Sequence, residues 1–359
     1  MTAMKKDGMN YAPKGGVNRV VEEGEFVIAA MALDHGHIYG MCNGLVEAGA
    51  TLKYVYDPDP AKVRKFIESF PEAQAADSVE QILKDDEIKL VAAAAIPSER
   101  GPLGVRVMES GKDYFTDKTP FTTLEQLEAA KETVEKTGKK YMVYYSERLH
   151  VESAVYVGNL IKEGAIGRVL QVSNLAPHLL NAPSRPEWFF QKEKYGGILC
   201  DIGSHQIEQF LYYSGNTDAE VVRSQVANYT AKEYPELEDF GDCMIVGANG
   251  ATHYFRVDWL TPAGLGVWGD GRTFILGSEG YIEVRKYIDI ARDDEGDQVY
   301  LSNNEGTYHY SVKGKVGFPF FGEFILDCIN RTENAMTQAH AFKTAELCLI
   351  AQKQAVRLE

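Results

Sequence analysis

The chain has 359 residues, with 37 Lys or Arg against 52 Asp or Glu, so its formal net charge at neutral pH is −15. So acidic a surface repels a phosphate backbone, which argues against nucleic acid as a partner. The length suits two domains at about 150 residues each. The longest apolar run, Phe26 to Leu33, falls far short of the roughly 20 residues a spanning helix needs, so no membrane partner is expected.

Five cysteines stand far apart with no CxxC pair, so neither a disulfide framework nor a zinc knuckle is expected. Free thiols fit a reducing cytosol, and a cytoplasmic location is expected. No set of His, Cys and carboxylate residues has metal-site spacing, so no metal is expected.

Residues 1–25 read as a polar arm with turn signals at Ala12-Pro13 and Gly15-Gly16, either laid on a neighbouring subunit or disordered. No apolar leader is visible in it. From Phe26 the texture becomes buried strands alternating with amphipathic helices. Strands are predicted at 26–33, 52–56, 88–96, 113–115 and 140–145. Helices are predicted at 38–48, 60–69, 79–83, 99–109 and 123–136. Apolar strands separated by helices mean βαβ units and a parallel sheet covered on both faces. Residues 26–147 are therefore expected to form a doubly wound α/β domain that binds a ligand beyond its strand carboxyl ends.

After a helix at 151–163 the pattern changes. Strands are predicted at 169–174, 221–229, 241–247, 252–259, 273–276 and 281–284, several joined by hairpin turns such as Ser278-Glu279-Gly280. Partial alternation suits a mostly antiparallel sheet with helices on one face. Helices at 321–330 and 341–356 close the chain. Residues 148–359 are thus read as an α+β domain for substrate binding and oligomerisation.

A strand feeding a helix offers free amides to a dinucleotide pyrophosphate, and the usual signature is GxGxxG. Here the turn reads Ala32-Leu33-Asp34-His35-Gly36-His37, with none of the three glycines in place. Gly36 and Ala32 permit close backbone approach, whereas Asp34 brings a carboxylate toward a phosphate site. The alternative is an ordinary turn with two solvated histidines. Asp57 ends the second strand, where a carboxylate binds both adenosine ribose hydroxyls and repels a 2′-phosphate. That favours NAD; the alternative is a turn aspartate before Pro58.

Asp117-Lys118-Thr119-Pro120 follows a strand and precedes a helix. An ammonium there can steady the alkoxide character that develops as hydride leaves; a surface loop lysine is the plainer reading. In Gly196-Gly197-Ile198-Leu199-Cys200-Asp201-Ile202-Gly203-Ser204-His205, the four-residue spacing of Asp201 and His205 puts both on one face of a helix begun nearby. Imidazole can take a hydroxyl proton while the carboxylate orients it; such a pair can equally be structural. Glu147-Arg148 reads as a salt bridge at the domain junction or, for Arg148, a substrate contact. His178, Asn181, Arg185 and Trp188 fall in an irregular stretch able to serve a polyol or an oligomer interface.

Together these residues resemble the Gfo/Idh/MocA family, the glucose–fructose oxidoreductase and inositol dehydrogenase group, over roughly residues 26–350. Asp117-Lys118 with Pro120 is similar to the family's Glu-Lys-Pro motif, with Thr119 inserted. Gly196-Gly197 through Asp201, His205 and Glu208 is similar to its GGxxxDxGxHxxD motif, with Glu208 for the last Asp. Leu160 to Gly167 resembles its helix-to-sheet entry, and Glu238-Asp239 with Gly277 to Gly280 its second sheet. The resemblance implies an NAD-dependent oxidoreductase acting on a secondary hydroxyl of a sugar, glycoside or cyclitol, the sugar 3-hydroxyl among them. Lys118, Asp201 and His205 would be catalytic. Leu33, Asp34, His35, Gly36, His37, Ile38, Asp57, Ile96, Pro97, Asp117 and Lys118 would meet the cofactor. Lys118, Arg148, His178, Asn181, Arg185, Trp188, Asp201 and His205 would meet substrate. Glycoside cleavage with catalytic NAD and a nucleotide-binding sensor without turnover are the alternatives. A homodimer or homotetramer is expected.

Overall fold

The computed structural model describes residues 13–292 and 295–359. Contacts divide them into two units. One holds residues 13–144 and 318–342, the other 145–317 and 343–359.

In the first unit, eleven elements alternate: β1 (Val27–Met31), α1 (His37–Glu47), β2 (Thr51–Tyr56), α2 (Pro60–Ser69), β3 (Gln74–Ala75), α3 (Val79–Lys84), β4 (Ile88–Ala93), α4 (Pro97–Glu109), β5 (Asp113–Asp117), α5 (Leu124–Thr137) and β6 (Tyr141–Tyr144). The six strands are parallel in the order β3-β2-β1-β4-β5-β6, so the sheet winds outward both ways from β1 and β4. That is the doubly wound arrangement the unbroken apolar strands predict. Helix starts follow local chemistry: the Asp59 carboxylate accepts the Ala61 amide and Pro60 opens α2, and Thr123 caps α5.

Two boundaries differ from the sequence reading. Residues 318–342, expected in the second domain, belong with the parallel sheet. Helix α11 (Phe320–Asn330) lays Phe320 and Phe324 on Phe115, with ring centroids 5.9 and 5.2 Å apart, and Phe321 near Tyr144. Gly44 of α1 is required there, because a Cβ would meet the Phe321 ring at 2.4 Å. A pattern read along the chain cannot see that this aromatic face matches a sheet two hundred residues earlier. Likewise, residues 13–25 of the arm pack on their own chain: the Val20 amide donates to Ala48 O and the Phe318 amide to Gly16 O. Residues 1–12 of the arm lie outside the described residues.

The second unit contains α6 (Ser146–Leu149), α7 (Glu152–Lys162), β7 (Val169–Pro177), α8 (Lys192–Tyr195), α9 (Ile198–Asp201), α10 (Gly203–Ser214), β8 (Ala219–Ala227), β9 (Phe240–Gly247), β10 (Thr252–Asp258), β11 (Arg272–Gly277), β12 (Gly280–Arg285), β13 (Gln298–Asn303), β14 (Gly306–Ser311) and β15 (Val356–Arg357). Helix α12 (Gln338–Gln354) precedes β15. Nine strands run in the order β14-β13-β12-β11-β7-β10-β9-β8-β15. Pairing is antiparallel except for β7 with β10 and β8 with β15. The β13–β14 hairpin is absent from the sequence reading, since its polar residues give no apolar run. Helix α10 packs on one face so closely that a Cβ on Gly203 would meet Phe255 at 3.0 Å. The other face carries Leu175, Met244, Val246, Phe274, Leu276 and Tyr281 at outward register positions, and all but Leu175 are well exposed.

Among the described residues no helix is long and apolar enough to cross a membrane. All five cysteines are free and buried.

Candidate active site

At the carboxyl edge of the parallel sheet, β1 is followed by Ala32, which stands at φ +52, a left-handed backbone normally left to glycine. The residue type lacks the signature, but the turn keeps the conformation. His35 and His37 are both buried, so the solvated-histidine reading fails. Their Nδ1 atoms lie 3.1 and 2.8 Å from the Asp117 carboxylate at the end of β5. Asp117 also takes the Arg100 guanidinium at 3.1 Å and the Lys118 amide at 2.8 Å. Burial alone would raise the Asp117 carboxyl, but His37, Arg100 and His35 hold it well below the ordinary carboxylate range.

Arg100, in α4 and fully buried, organises this corner. Its Nε donates to Ala95 O at 2.7 Å, its Nη1 to the carbonyls of Lys118 and Thr119, and its Nη2 to Asp117. The Lys118–Thr119 peptide is cis. Lys118 is itself buried, which excludes the surface-lysine reading. Nothing in the sequence distinguishes Arg100 from any helical arginine; only the fold brings it under the lysine. His35, His37 and Asp117 also bring ligand-type atoms within 4.8 Å of one another. The guanidinium already on that carboxylate would repel a metal cation.

The Asp57 side chain is buried and accepts the Leu33 amide at 2.7 Å and the Asp59 amide at 2.9 Å. Lys62 of α2 holds the Asp34 carboxylate at 2.6 Å and reaches Asp57 at 3.6 Å, so the Asp34 charge is paired within the protein. Ile38 is a core residue whose amide bonds His35 O. Ile96 and Pro97 open α4 beyond β4, beside the same edge. The residues themselves test whether a dinucleotide fits. Gly36 caps α1 without a side chain, and neither imidazole has a partner for Nε2 among the described residues. Each Asp57 oxygen keeps a second lone pair for a ribose hydroxyl. The donor set suits a dinucleotide without a 2′-phosphate.

In the second unit, Gly196 and Gly197 take φ +87 and +92, and a Cβ on Gly197 would meet Gln352 at 2.2 Å. The Ile198 amide donates to Glu238 at 3.0 Å and the Leu199 amide to Gln352 at 3.0 Å, which seats α9. Asp201 ends α9 and His205 lies in the first turn of α10, with Ile202 between the two helices. The single helix expected from the four-residue spacing is thus two. Both side chains are buried.

Glu147, a junction residue in the sequence reading, is the centre of a cluster here. Lys286 Nζ lies 2.7 Å from it, His178 Nε2 3.3 Å, and Gln206 Nε2 donates at 2.9 Å. Burial would raise its carboxyl, but Lys286, His205 and His178 hold it well below the ordinary range. Burial in turn holds the Lys286 ammonium below its usual range, against the pull of Glu147. Neither Lys286 nor Gln206 carries a sequence signal beyond Gln206 following His205.

Arg148 pairs with Glu208 at 2.6 Å and lies over the Tyr212 ring at 4.0 Å, both within this unit. Arg185 stacks on Phe189, Trp259 and Trp268 and donates to the Leu180 carbonyl at 2.9 Å. His178 stands edge-on to Trp259 and Trp268. Asn181 is exposed and Trp188 half-buried.

The parallel sheet with an acidic residue ending β2 defines a dinucleotide-binding architecture. Residues 32–145 match the oxidoreductase family model with an NAD-binding Rossmann fold, and residues 155–283 match the GFO/IDH/MocA C-terminal domain. The chain belongs to the GFO/IDH/MocA family. It is 51% identical to a crystal structure from Erwinia carotovora atroseptica SCRI1043, described no more closely than as a presumed oxidoreductase. That match covers 93% of this chain and 100% of the other, with a TM-score of 0.91. Levoglucosan dehydrogenase, solved with NADH and levoglucosan, shares the fold at 18% identity and TM-score 0.75, over 92% of this chain and 98% of that one. A D-xylose dehydrogenase of Paenarthrobacter nicotinovorans is 25% identical over 40% of this chain and 38% of its own length. Matches to the curated relatives span 38% to 66% of those proteins.

Proposed function

We propose that the protein is an NAD-dependent dehydrogenase that oxidises a secondary hydroxyl of a sugar, glycoside or cyclitol, with the 3-hydroxyl of a sugar as one such position. The observation that carries this is Lys118: a buried lysine at a parallel-strand end, its backbone clamped by Arg100 and its neighbour Asp117 held ionised. A lysine so placed serves an oxygen that gains negative charge.

NAD, when bound, accepts the hydride. Lys118 would polarise the hydroxyl and His205 would take its proton, with Asp201 orienting the imidazole and the substrate. His178, Asn181 and Trp188 would contact the polyol, while Arg148 and Arg185, engaged with Glu208 and the tryptophans, would hold the loops that present it. Leu33, Asp34, His35, Gly36, His37, Asp57, Ile96, Pro97 and Asp117 would line the cofactor side, with Ile38 behind them in the core. The exposed apolar sheet face, Met244 and Leu276 among its residues, supports a homodimer or homotetramer. Five free cysteines support a cytoplasmic location.

The test is absorbance of reduced nicotinamide when the purified protein meets NAD and a panel of sugars, inositols and glycosides, with aglycone release followed in the same wells. Reduced cofactor accumulating with one substrate class establishes the dehydrogenase. Aglycone without reduced cofactor replaces it with redox-cycling glycoside cleavage. Cofactor binding with no turnover of any polyol points to a sensor.

A further inference from the structure

The turn that should cradle the cofactor phosphates lacks the three glycines of the usual signature and holds two histidines around Gly36. His37 is the first residue of α1, an eleven-residue helix, and its side chain is nine-tenths buried. Nδ1 lies 2.8 Å from Asp117 Oδ1, a carboxylate kept ionised by its neighbours, so Nδ1 carries the proton and donates it. Nε2 then presents a bare lone pair, has no partner among the described residues, and is not sealed from solvent. His35 is ambiguous by comparison: its Nδ1 lies 3.1 Å from Asp117 and 3.2 Å from the His37 amide, which must donate to it.

A bare imidazole lone pair repels a phosphate oxygen, and a protonated one binds it with a charge-assisted hydrogen bond. We propose that His37 replaces the glycine-loop backbone as a phosphate ligand of the dinucleotide, and that cofactor binding draws one proton from solvent onto His37 Nε2. This rests on the dinucleotide reading above. The proton comes from water or buffer, adds to Nε2 and leaves Nδ1–H on Asp117, so the ring becomes an imidazolium between a carboxylate and a phosphate.

Facing the ring are the Asp117 carboxylate from β5, which also carries the Arg100 guanidinium from α4, and His35 from its own turn with ring centroids 4.3 Å apart, with the Tyr144 ring of β6 edge-on at 5.8 Å. Arg100, on the same carboxylate, opposes a second cation, and Asp117 favours it. Two phosphate charges arriving with the ligand tip that balance toward protonation. Because the complex holds the proton more tightly than the free protein, affinity is greatest at low pH and falls as pH rises.

The experiment is calorimetric titration of NAD into the full chain at pH 8, in buffers of different ionisation enthalpy, whose slope counts protons taken up. About one proton is expected for the unaltered protein and none for His37→Asn, while His35→Asn keeps the uptake. Between pH 8 and 9 the Kd of the unaltered protein should rise severalfold, up to about tenfold for one coupled proton. The Kd of His37→Asn should stay flat. Binding without uptake, or uptake that survives His37→Asn, overturns the inference and leaves the dinucleotide reading standing. No binding of either NAD or NADH overturns both. Should His37→Asn fail to fold, the proton count and the pH slope of the unaltered protein decide alone.

Discussion

Each unit buries one carboxylate between histidines and a cation, and the two clusters solve the same problem differently. Around Asp117 the cation is Arg100, fully buried and always charged. Around Glu147 the cation is Lys286, whose ammonium burial has already weakened. Arginine fixes a charge that cannot be shed, so the Asp117 corner is a rigid support for the Lys118 backbone. Lysine can lose its proton, so the Glu147 cluster can relax when disturbed. The lesson is that equal burial does not mean equal fragility; the partner's freedom to neutralise decides.

The largest expected effect separates chemistry from support. Lys118→Ala and His205→Ala should each lower kcat by about 10²–10⁴-fold with the fold intact, the range for positioned acid–base groups. Losses under tenfold in properly folded variants would remove those roles. Next comes stability. Asp117→Ala strands a buried guanidinium and should cost about 3–5 kcal/mol, whereas Glu147→Ala should cost less because Lys286 can neutralise. Denaturant unfolding of both variants checks this, and equal losses would break the contrast.

Acid response sharpens it further. Burial, and then His37, push the His35 imidazole well below its ordinary value, and burial alone pushes His253 down to about 3. Both stay neutral when folded while the unfolded chain protonates them. Their contribution is therefore full above the unfolded value near 6.5 and is lost as pH falls below it, at about 1.4 kcal/mol per pH unit for each histidine. His253→Gln, which keeps an acceptor or donor for Asn174, should flatten the stability slope between pH 6 and 5 by one such increment. An unchanged slope would show that His253 is protonated within the fold. The smallest effect is at Lys62. Lys62→Ala leaves Asp34 and Asp57 unneutralised and should weaken NADP binding about tenfold with NAD changed less than threefold, read from paired titrations. Equal changes for both would detach these carboxylates from the ribose.

Much of the architecture is legible in the sequence because it is written in local periodicity. Apolar runs at β1 and β4, Asp57 closing β2, Gly196-Gly197 before α9 and the Asp117-Lys118 pair all declare themselves by type and spacing. What stays hidden depends on residues distant in sequence. Ala32 adopts a glycine-like turn with no glycine to announce it. Arg100 becomes the clamp of Lys118 only when α4 docks beside β5. Glu147, Lys286 and Gln206 meet from three elements, and α11 joins a sheet far upstream through its phenylalanines. Strands and helices follow from short-range preference and hydrophobic pattern, so the chain alone determined the fold class. Side-chain electrostatics follow from through-space distance and desolvation, so only the tertiary structure decided which carboxylates stay charged, which histidines stay neutral, and which cation holds each in place.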